Sequence, residues 1–337
     1  MEIQFTSLGA VAALILAIIL ISRKLQPAYC LIFGALIGGL IGGGSLKDTV
    51  EAMVSGAGGM MSSILRILTS GILAGALIKT GSAQKIAETI VDGLGERRAV
   101  AAISIATMII CTVGVFIDIS VITVAPIALA IGEKAELSKS GVLLAMIGGG
   151  KAGNIISPNP NTIALSEAFQ LDLSALILKN IVPALFALIV SILLSAFLSG
   201  KPGDAITKRD LEGAPNKTLP ALLPSIAGPL AVIALLALRP IAGIAIDPLL
   251  ALPLGGFLCI LSTGCGKDAK ECIEFGLSKV VGVAILLIGT GAVAGIIKAS
   301  ALQKDVIALL ETMHMPAFVL APPLRRPTGA APAPPTS

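Results

Sequence analysis

Residues 148–162 read Gly-Gly-Gly-Lys-Ala-Gly-Asn-Ile-Ile-Ser-Pro-Asn-Pro-Asn-Thr and lie between segments apolar enough to enter a bilayer. Proline cannot donate a backbone hydrogen bond and glycine favours non-helical backbone, so this stretch predicts an interrupted helix. At membrane depth the freed peptide groups need partners from protein, water or a ligand, and such interruptions commonly line a solute pathway. We therefore predict a re-entrant hairpin near residues 145–165, within a broken-helix region that covers residues 118–170.

The composition around this stretch is that of an integral membrane protein. Of the 337 residues, 55% are hydrophobic and 13% are charged, and the mean hydropathy is +0.97. A segment of ~20 apolar residues is long enough to cross a bilayer. We predict an all-α polytopic protein of the cytoplasmic membrane with spans near residues 5–22, 27–44, 57–78, 99–117, 175–199, 220–238, 241–263 and 276–297.

Several classes of function lack their sequence signatures. The five cysteines form no CxxC pair and His314 is the single histidine, so we expect no metal site and no cofactor. There is no phosphate-binding loop to indicate direct use of ATP, and no nucleophile and base to indicate an enzyme. The net charge of +4 fits basic cytoplasmic loops better than a nucleic-acid surface. A homo-oligomer stays open, because small residues pack helices within and between protomers alike.

An internal repeat organises the chain. The first copy contains Gly44, Lys47, Asp48, Glu51, Gly56, Gly71, Ala74 and Gly75, and the second contains Gly264, Lys267, Asp268, Glu271, Gly276, Gly291, Ala294 and Gly295. The positive-inside rule places Lys47 outside and Lys267 inside, which predicts that the two copies are inverted. Inverted repeats are common in secondary transporters, where the substrate site lies near the bilayer midplane at the repeat interface.

The repeat also sets the expected domain boundaries. We place the first transmembrane repeat at residues 1–199, a cytoplasmic linker at 200–219 and an incomplete second repeat at 220–320, which lacks the counterpart of roughly residues 100–200. Residues 321–337 change abruptly to a composition rich in Pro and Ala. We expect a frameshifted or truncated product, and the alternative is a disordered tail.

Arg66 is a candidate anion-binding residue, because it lies inside the apolar stretch Ser-Ser-Ile-Leu-Arg-Ile-Leu-Thr-Ser-Gly. A charge at that depth costs about 3 kcal/mol on insertion scales and therefore indicates a function or a partner. The alternatives are an ion pair with a buried acid, or a position nearer the membrane interface.

Asp118 is the candidate proton-coupling residue, since it is the only acid between Glu96 and Glu133. An apolar setting favours the protonated form of a carboxyl group, so this side chain is suited to loading and releasing a proton as its exposure alternates. The alternative is an acid that caps a helix, or forms an ion pair, where a broken helix restarts before Pro126.

The 148–162 stretch supplies further candidates for substrate binding. A carboxylate favours a cation, and sugar hydroxyls favour groups that both donate and accept hydrogen bonds. The candidates are Lys151, Asn154, Ser157, Asn159, Asn161 and Thr162. Their alternative role is to form turns in a surface loop, with Lys151 extending to the interface.

These residues resemble a known family. The segment from Gly114 to Pro126 with its intramembrane acid, followed by the Ser-Pro-Asn-Pro-Asn-Thr stretch, is similar to the gluconate permease family of the ion transporter superfamily. The resemblance covers about residues 5–320. It implies an inverted-repeat fold with two hairpins, and proton-coupled uptake of gluconate or a related sugar acid. The family pattern includes a full second half, which this chain lacks.

The sequence therefore predicts a secondary transporter that imports a small hydroxylated carboxylate together with protons. Arg66 and the hairpin residues would bind the substrate, and Asp118 would carry the proton. One alternative is a sodium-coupled citrate or dicarboxylate carrier. Another is a membrane fragment that inserts but does not transport.

Overall fold

The computed structural model describes residues 5–169, 171–199, 205–207, 219–244 and 246–312. Within them the chain is helical and contains no β-strand. The helices are α1 Ser7–Ser22, α2 Pro27–Ile41, α3 Leu46–Gly58, α4 Met61–Lys79, α5 Ser82–Leu94, α6 Ala99–Thr112, α7 Ile117–Lys134, α8 Lys139–Asn154, α9 Pro160–Ala168, α10 Leu173–Ser199, α11 Leu222–Ala242, α12 Pro248–Ser262, α13 Ala269–Lys298 and α14 Leu302–Thr312.

Three helical segments of the described chain are long and apolar enough to cross a membrane, namely Met61–Lys79, Leu173–Ser199 and Gly266–Lys298. Shorter apolar helices are Ser7–Ser22, Pro27–Ile41, Leu222–Leu238 and Pro248–Ser262. Helix α10 keeps large apolar side chains on its outer surface, including Val182, Phe186 and Phe197. Lipid can cover such a face, whereas water would disfavour it. The predicted all-α membrane fold is confirmed.

The chain divides into two compact units. The first combines Met1–Met61 with Ile285–Ser337. Its core contains Phe5, Ala35, Ala52, Ala292, Val293, Ile296 and Ala299. Glycines let α1 and α2 approach closely, because a Cβ added at Gly38 would lie 2.6 Å from the carbonyl oxygen of Gly9.

The second unit is Ser62–Ala284, and α6 is its most buried helix. Helices α5, α7, α8 and α10 pack around α6. Small residues allow the closest of these contacts: a Cβ added at Gly149 of α8 would lie 2.0 Å from the carbonyl oxygen of Ser104, and one at Gly153 would lie 2.2 Å from that of Met108.

The predicted hairpin is a helix, a turn and a second helix. Gly148, Gly149 and Gly150 lie inside α8, and the interruption covers residues 155–159 only. The glycines were expected to break the helix. Instead they remain helical, and the absence of a side chain at Gly149 lets α8 pack closely against the backbone of α6. A second interruption, residues 113–116, separates α6 from α7 and ends the predicted 99–117 span early. Gly114 adopts a φ of 105° there, a conformation that glycine takes at little cost.

His314 and the predicted tail at 321–337 lie outside the described residues, as does most of the predicted linker at 200–219.

Candidate functional site

The interrupted helices of the second unit meet at a cavity of about 170 Å³. It is lined by Phe116, Ile117, Asp118, Ile119, Asn154, Pro160, Asn161, Lys279 and Val283. The start of α7, the end of α8, the start of α9 and one face of α13 therefore contribute to one cavity, which we call the Asp118 cavity. Helix N-termini present unpaired N–H groups and a positive dipole end, so this arrangement suits an anion.

Asp118 lies in the first turn of α7, where the helix dipole stabilises a negative charge. Its side chain is exposed to the cavity, and no cation of the described residues forms an ion pair with it. This position is compatible with both roles predicted for Asp118, a proton carrier and an acid that stabilises a helix end. The substitution Asp118→Asn separates the two roles, because proton-driven accumulation of substrate should be lost only if Asp118 carries the proton.

The hairpin residues divide between lining the cavity and building the turn. Asn154 and Asn161 line the Asp118 cavity. Asn159 caps α9, since its Oδ1 accepts hydrogen bonds from the backbone N–H groups of Asn161 at 2.8 Å and Thr162 at 3.3 Å. Its Nδ2 donates to the carbonyl oxygen of Asn154, and the Thr162 hydroxyl donates to the same oxygen at 3.3 Å. Asn159 and Thr162 thus join the end of α8 to the start of α9.

The other two hairpin candidates take different positions. Ser157 is fully buried in the turn, and its hydroxyl has no hydrogen-bond partner among the described residues. Lys151 is exposed on α8 and is not one of the residues that line the Asp118 cavity. The structure therefore brings together Asp118, Asn154 and Asn161, but not Lys151.

Arg66 faces a different cavity, of about 320 Å³, lined by Arg66, Ile163, Ser166, Leu171, Asp172, Leu173, Ser174, Ile246, Asp247 and Pro248. Its guanidinium donates two hydrogen bonds to Asp247, from Nε to Oδ1 at 2.9 Å and from Nη2 to Oδ2 at 2.6 Å. Nη1 donates to the Ser62 hydroxyl at 2.7 Å. The alternative predicted for Arg66 was an ion pair with a buried acid, and Asp247 differs from it in that its side chain is 41% exposed.

The Arg66 and Asp247 pair is expected to contribute to stability. The side chains are 21% and 41% exposed, so solvent screens the pair in part. A double-mutant cycle with Arg66→Met and Asp247→Asn should give a coupling energy of about 1–2 kcal/mol, measured by chemical unfolding in detergent. The control is the pair Lys47 and Glu51, whose side chains are 83% and 65% exposed and which should couple by less than about 0.5 kcal/mol. Equal coupling in the two pairs would contradict the prediction.

Lys279 was missed by the sequence analysis, although it lines the Asp118 cavity. The sequence did contain a signal, because Lys279 is the single charged residue of the apolar span predicted at 276–297, although it lies near the start of that span. Its proximity to Asp118 was not visible, since the two residues are far apart in the sequence and only the packing of α13 brings them to one cavity.

Comparison with known proteins agrees with a transporter. Residues 3–331 match the family described as GntP family permease. An uncharacterized transporter of Haemophilus influenzae is 49% identical over 317 residues, which cover 94% of this chain and 75% of that protein. The D-serine transporter DsdX of Escherichia coli is 23% identical, covering 95% of this chain and 77% of its own. The inner membrane permease YgbN of Escherichia coli is 24% identical, covering 98% and 81%.

These relatives are named as transporters or permeases, and the family match extends over nearly the whole chain, through both interrupted-helix regions. The chain belongs to the GntP permease family and is a multi-pass membrane transporter rather than an enzyme.

Proposed function

We propose that this permease is a proton-coupled symporter that imports gluconate or a related hydroxylated carboxylate across the cytoplasmic membrane. The observation that carries the proposal is the Asp118 cavity. There a carboxyl group and the side chains of Asn154 and Asn161 meet at the ends of interrupted helices. This is the kind of place where secondary transporters bind substrates and coupling ions.

The substrate chemistry follows from the amides. Each asparagine offers two donors and a carbonyl acceptor, so Asn154 and Asn161 together can satisfy hydroxyl groups that both donate and accept. The N-terminus of α9, capped by Asn159, adds a positive dipole end nearby. In this proposal Asn159 and Thr162 position the cavity-lining asparagines. Ser157 offers a buried hydroxyl to the same hairpin, and Lys151 and Arg66 lie outside the cavity.

Asp118 is the proposed proton carrier. A carboxyl group that is alternately open to each side of the membrane can take up a proton on one side and release it on the other. Among the described residues that line the Asp118 cavity, Asp118 is the one acid and therefore the group suited to that role.

Alternating access is proposed to follow from an inverted repeat, and reciprocal glycine contacts support it. A Cβ added at Gly56 would lie 2.2 Å from the carbonyl oxygen of Gly291, and one at the repeat-equivalent Gly276 would lie 1.8 Å from that of Gly71. Gly71 and Gly291 are also equivalent positions of the repeat. The contact of Gly56 with Gly291 is therefore the same as the contact of Gly276 with Gly71, with the two copies exchanged. Reciprocal contacts of this kind are what a two-fold relation between copies produces.

A second candidate substrate is D-serine. One relative is named a D-serine transporter, and D-serine shares a carboxylate and a hydroxyl group with the sugar acids. The amides of Asn154 and Asn161 suit either compound, and uptake measurements with both compounds separate the two candidates.

Uptake into proteoliposomes tests the proposal. Labelled gluconate, glycerate, D-serine and citrate are offered under an inward proton gradient, an inward sodium gradient or neither. We expect accumulation of at least one hydroxylated monocarboxylate with the proton gradient, and none above equilibrium with the sodium gradient alone. Accumulation driven only by sodium, or of citrate alone, would favour the sodium-coupled carrier. No uptake of any of them would favour a non-transporting fragment.

A further inference from the structure

Lys279 stands out among the cations of the described chain because of where it lies. It lies where the charged first part of α13 gives way to the apolar part, with Val280 and Val281 following it, and it lines the Asp118 cavity. A charge in a membrane-spanning helix costs free energy, so it marks a binding site or a pathway more often than a surface.

The described neighbours of Lys279 do not neutralise its positive charge. Its Nζ lies 5.0 Å from the centre of the Phe275 ring, and no carboxylate of the described residues lies within ion-pair distance. Lys79 lies at the same distance from that ring, but Lys79 pairs with Glu271. One aromatic ring thus faces two lysines, of which one is neutralised by an acid.

The other predicted cations do not reach the Asp118 cavity. Arg66 is engaged by Asp247 in a separate cavity, and Lys151 is exposed on α8. Asn154 and Asn161 suit hydroxyl groups, and Asp118 would repel an anion unless a cation lay near it. Among the described residues, Lys279 is the one cation that lines the Asp118 cavity.

We propose that Lys279 binds the carboxylate of the substrate and thereby selects anions over neutral polyols, with Asn154 and Asn161 taking the hydroxyl groups. The proposal rests on the proposed function and names the residue that sets its substrate class. An ammonium group binds a carboxylate as a point charge, so the selection concerns charge rather than the length of the carbon chain.

Binding of gluconate and of the neutral polyol sorbitol to the purified full chain in detergent tests this role. For the wild type we expect gluconate to bind about 10- to 100-fold more tightly than sorbitol, the range of a charge-assisted hydrogen bond. Lys279→Met should reduce this preference to less than about threefold, and Lys279→Arg should restore most of it. Lys151→Met is the matched control and should keep the wild-type preference.

The comparison of the two ligands makes the readout specific. A variant that merely loses structure would weaken both ligands together, whereas loss of a carboxylate ligand weakens gluconate alone. A wild-type preference retained by Lys279→Met overturns the role of Lys279 and leaves the proposed function standing. A preference lost in Lys151→Met and kept in Lys279→Met assigns the role to Lys151 and likewise overturns it. If the wild type does not bind gluconate and takes up neither gluconate, glycerate nor D-serine into proteoliposomes, the proposed function itself fails and the role of Lys279 fails with it.

Discussion

Replacing Asp118 by Asn is expected to abolish proton-driven accumulation of the substrate while exchange of labelled for unlabelled substrate continues. Asparagine keeps the size of the side chain but cannot bind and release a proton. With a pH difference of about one unit, a symporter that moves one proton accumulates its substrate about tenfold, because one pH unit corresponds to about 1.4 kcal/mol. In the variant the ratio of internal to external substrate should fall to about one.

The matched control for this experiment is Glu133→Gln. Glu133 lies near the other end of α7 and does not line the Asp118 cavity. The substitution Glu133→Gln removes one negative charge from the same helix. It should leave accumulation within about twofold of the wild type, as expected for a substitution away from the site. If Asp118→Asn accumulates substrate as the wild type does, Asp118 is the acid that stabilises the N-terminus of α7 and another group couples the proton. Loss of both accumulation and exchange would instead place Asp118 among the groups that bind substrate.

The parts of the site that the sequence predicted are those set by local chemistry. Asp118 was selected because it is an acid in an apolar setting, and its role as proton carrier stays a prediction. The Pro and Asn residues of the 148–162 stretch indicated an interrupted helix, and the structure has a turn at 155–159 between α8 and α9. The cap formed by Asn159 follows from the same local rules, since Asn before Pro at a helix start is a recognised pattern.

The parts that the sequence did not predict depend on tertiary packing. Gly148, Gly149 and Gly150 were expected to break the helix because glycine has a low intrinsic helix propensity. They remain helical because, at Gly149, the absence of a side chain lets the backbones of α6 and α8 approach. Arg66 was predicted to bind an anionic substrate, with an ion pair to a buried acid as one alternative, and the acid that it contacts, Asp247, lies in a segment that was predicted to be part of a span. No local pattern could have connected these residues.

Replacing Gly276 by Ala is expected to destabilise the protein strongly, because the added methyl group has no space. A Cβ at this position would lie 1.8 Å from the carbonyl oxygen of Gly71 and 3.2 Å from the Cα of Gly75, and neither backbone atom can rotate away. Helices α4 and α13 would have to separate within the second unit. Overpacking of this kind costs about 1–3 kcal/mol, and the loss is measured as a lower midpoint of chemical unfolding in detergent.

Gly282→Ala is the matched control, since Gly282 lies on the same helix and a Cβ there would meet nothing within 4 Å. Alanine favours the helix by up to about 1 kcal/mol over glycine, so this variant should be unchanged or slightly more stable. If Gly276→Ala is as stable as Gly282→Ala, the two backbones are not in contact and the close crossing of α4 and α13 is wrong.

The internal repeat predicts that a second substitution, Gly56→Ala, destabilises the protein in the same way. Gly56 is the counterpart of Gly276, and a Cβ at Gly56 would lie 2.2 Å from the carbonyl oxygen of Gly291, the counterpart of Gly71. If the two copies are related by a two-fold axis, Gly56→Ala should lower the free energy of unfolding about as much as Gly276→Ala, because both substitutions place a methyl group in the same close backbone contact. A large loss in one variant and none in the other would show that the copies do not pack reciprocally. The proposed alternating access would then need a structural basis other than the repeat.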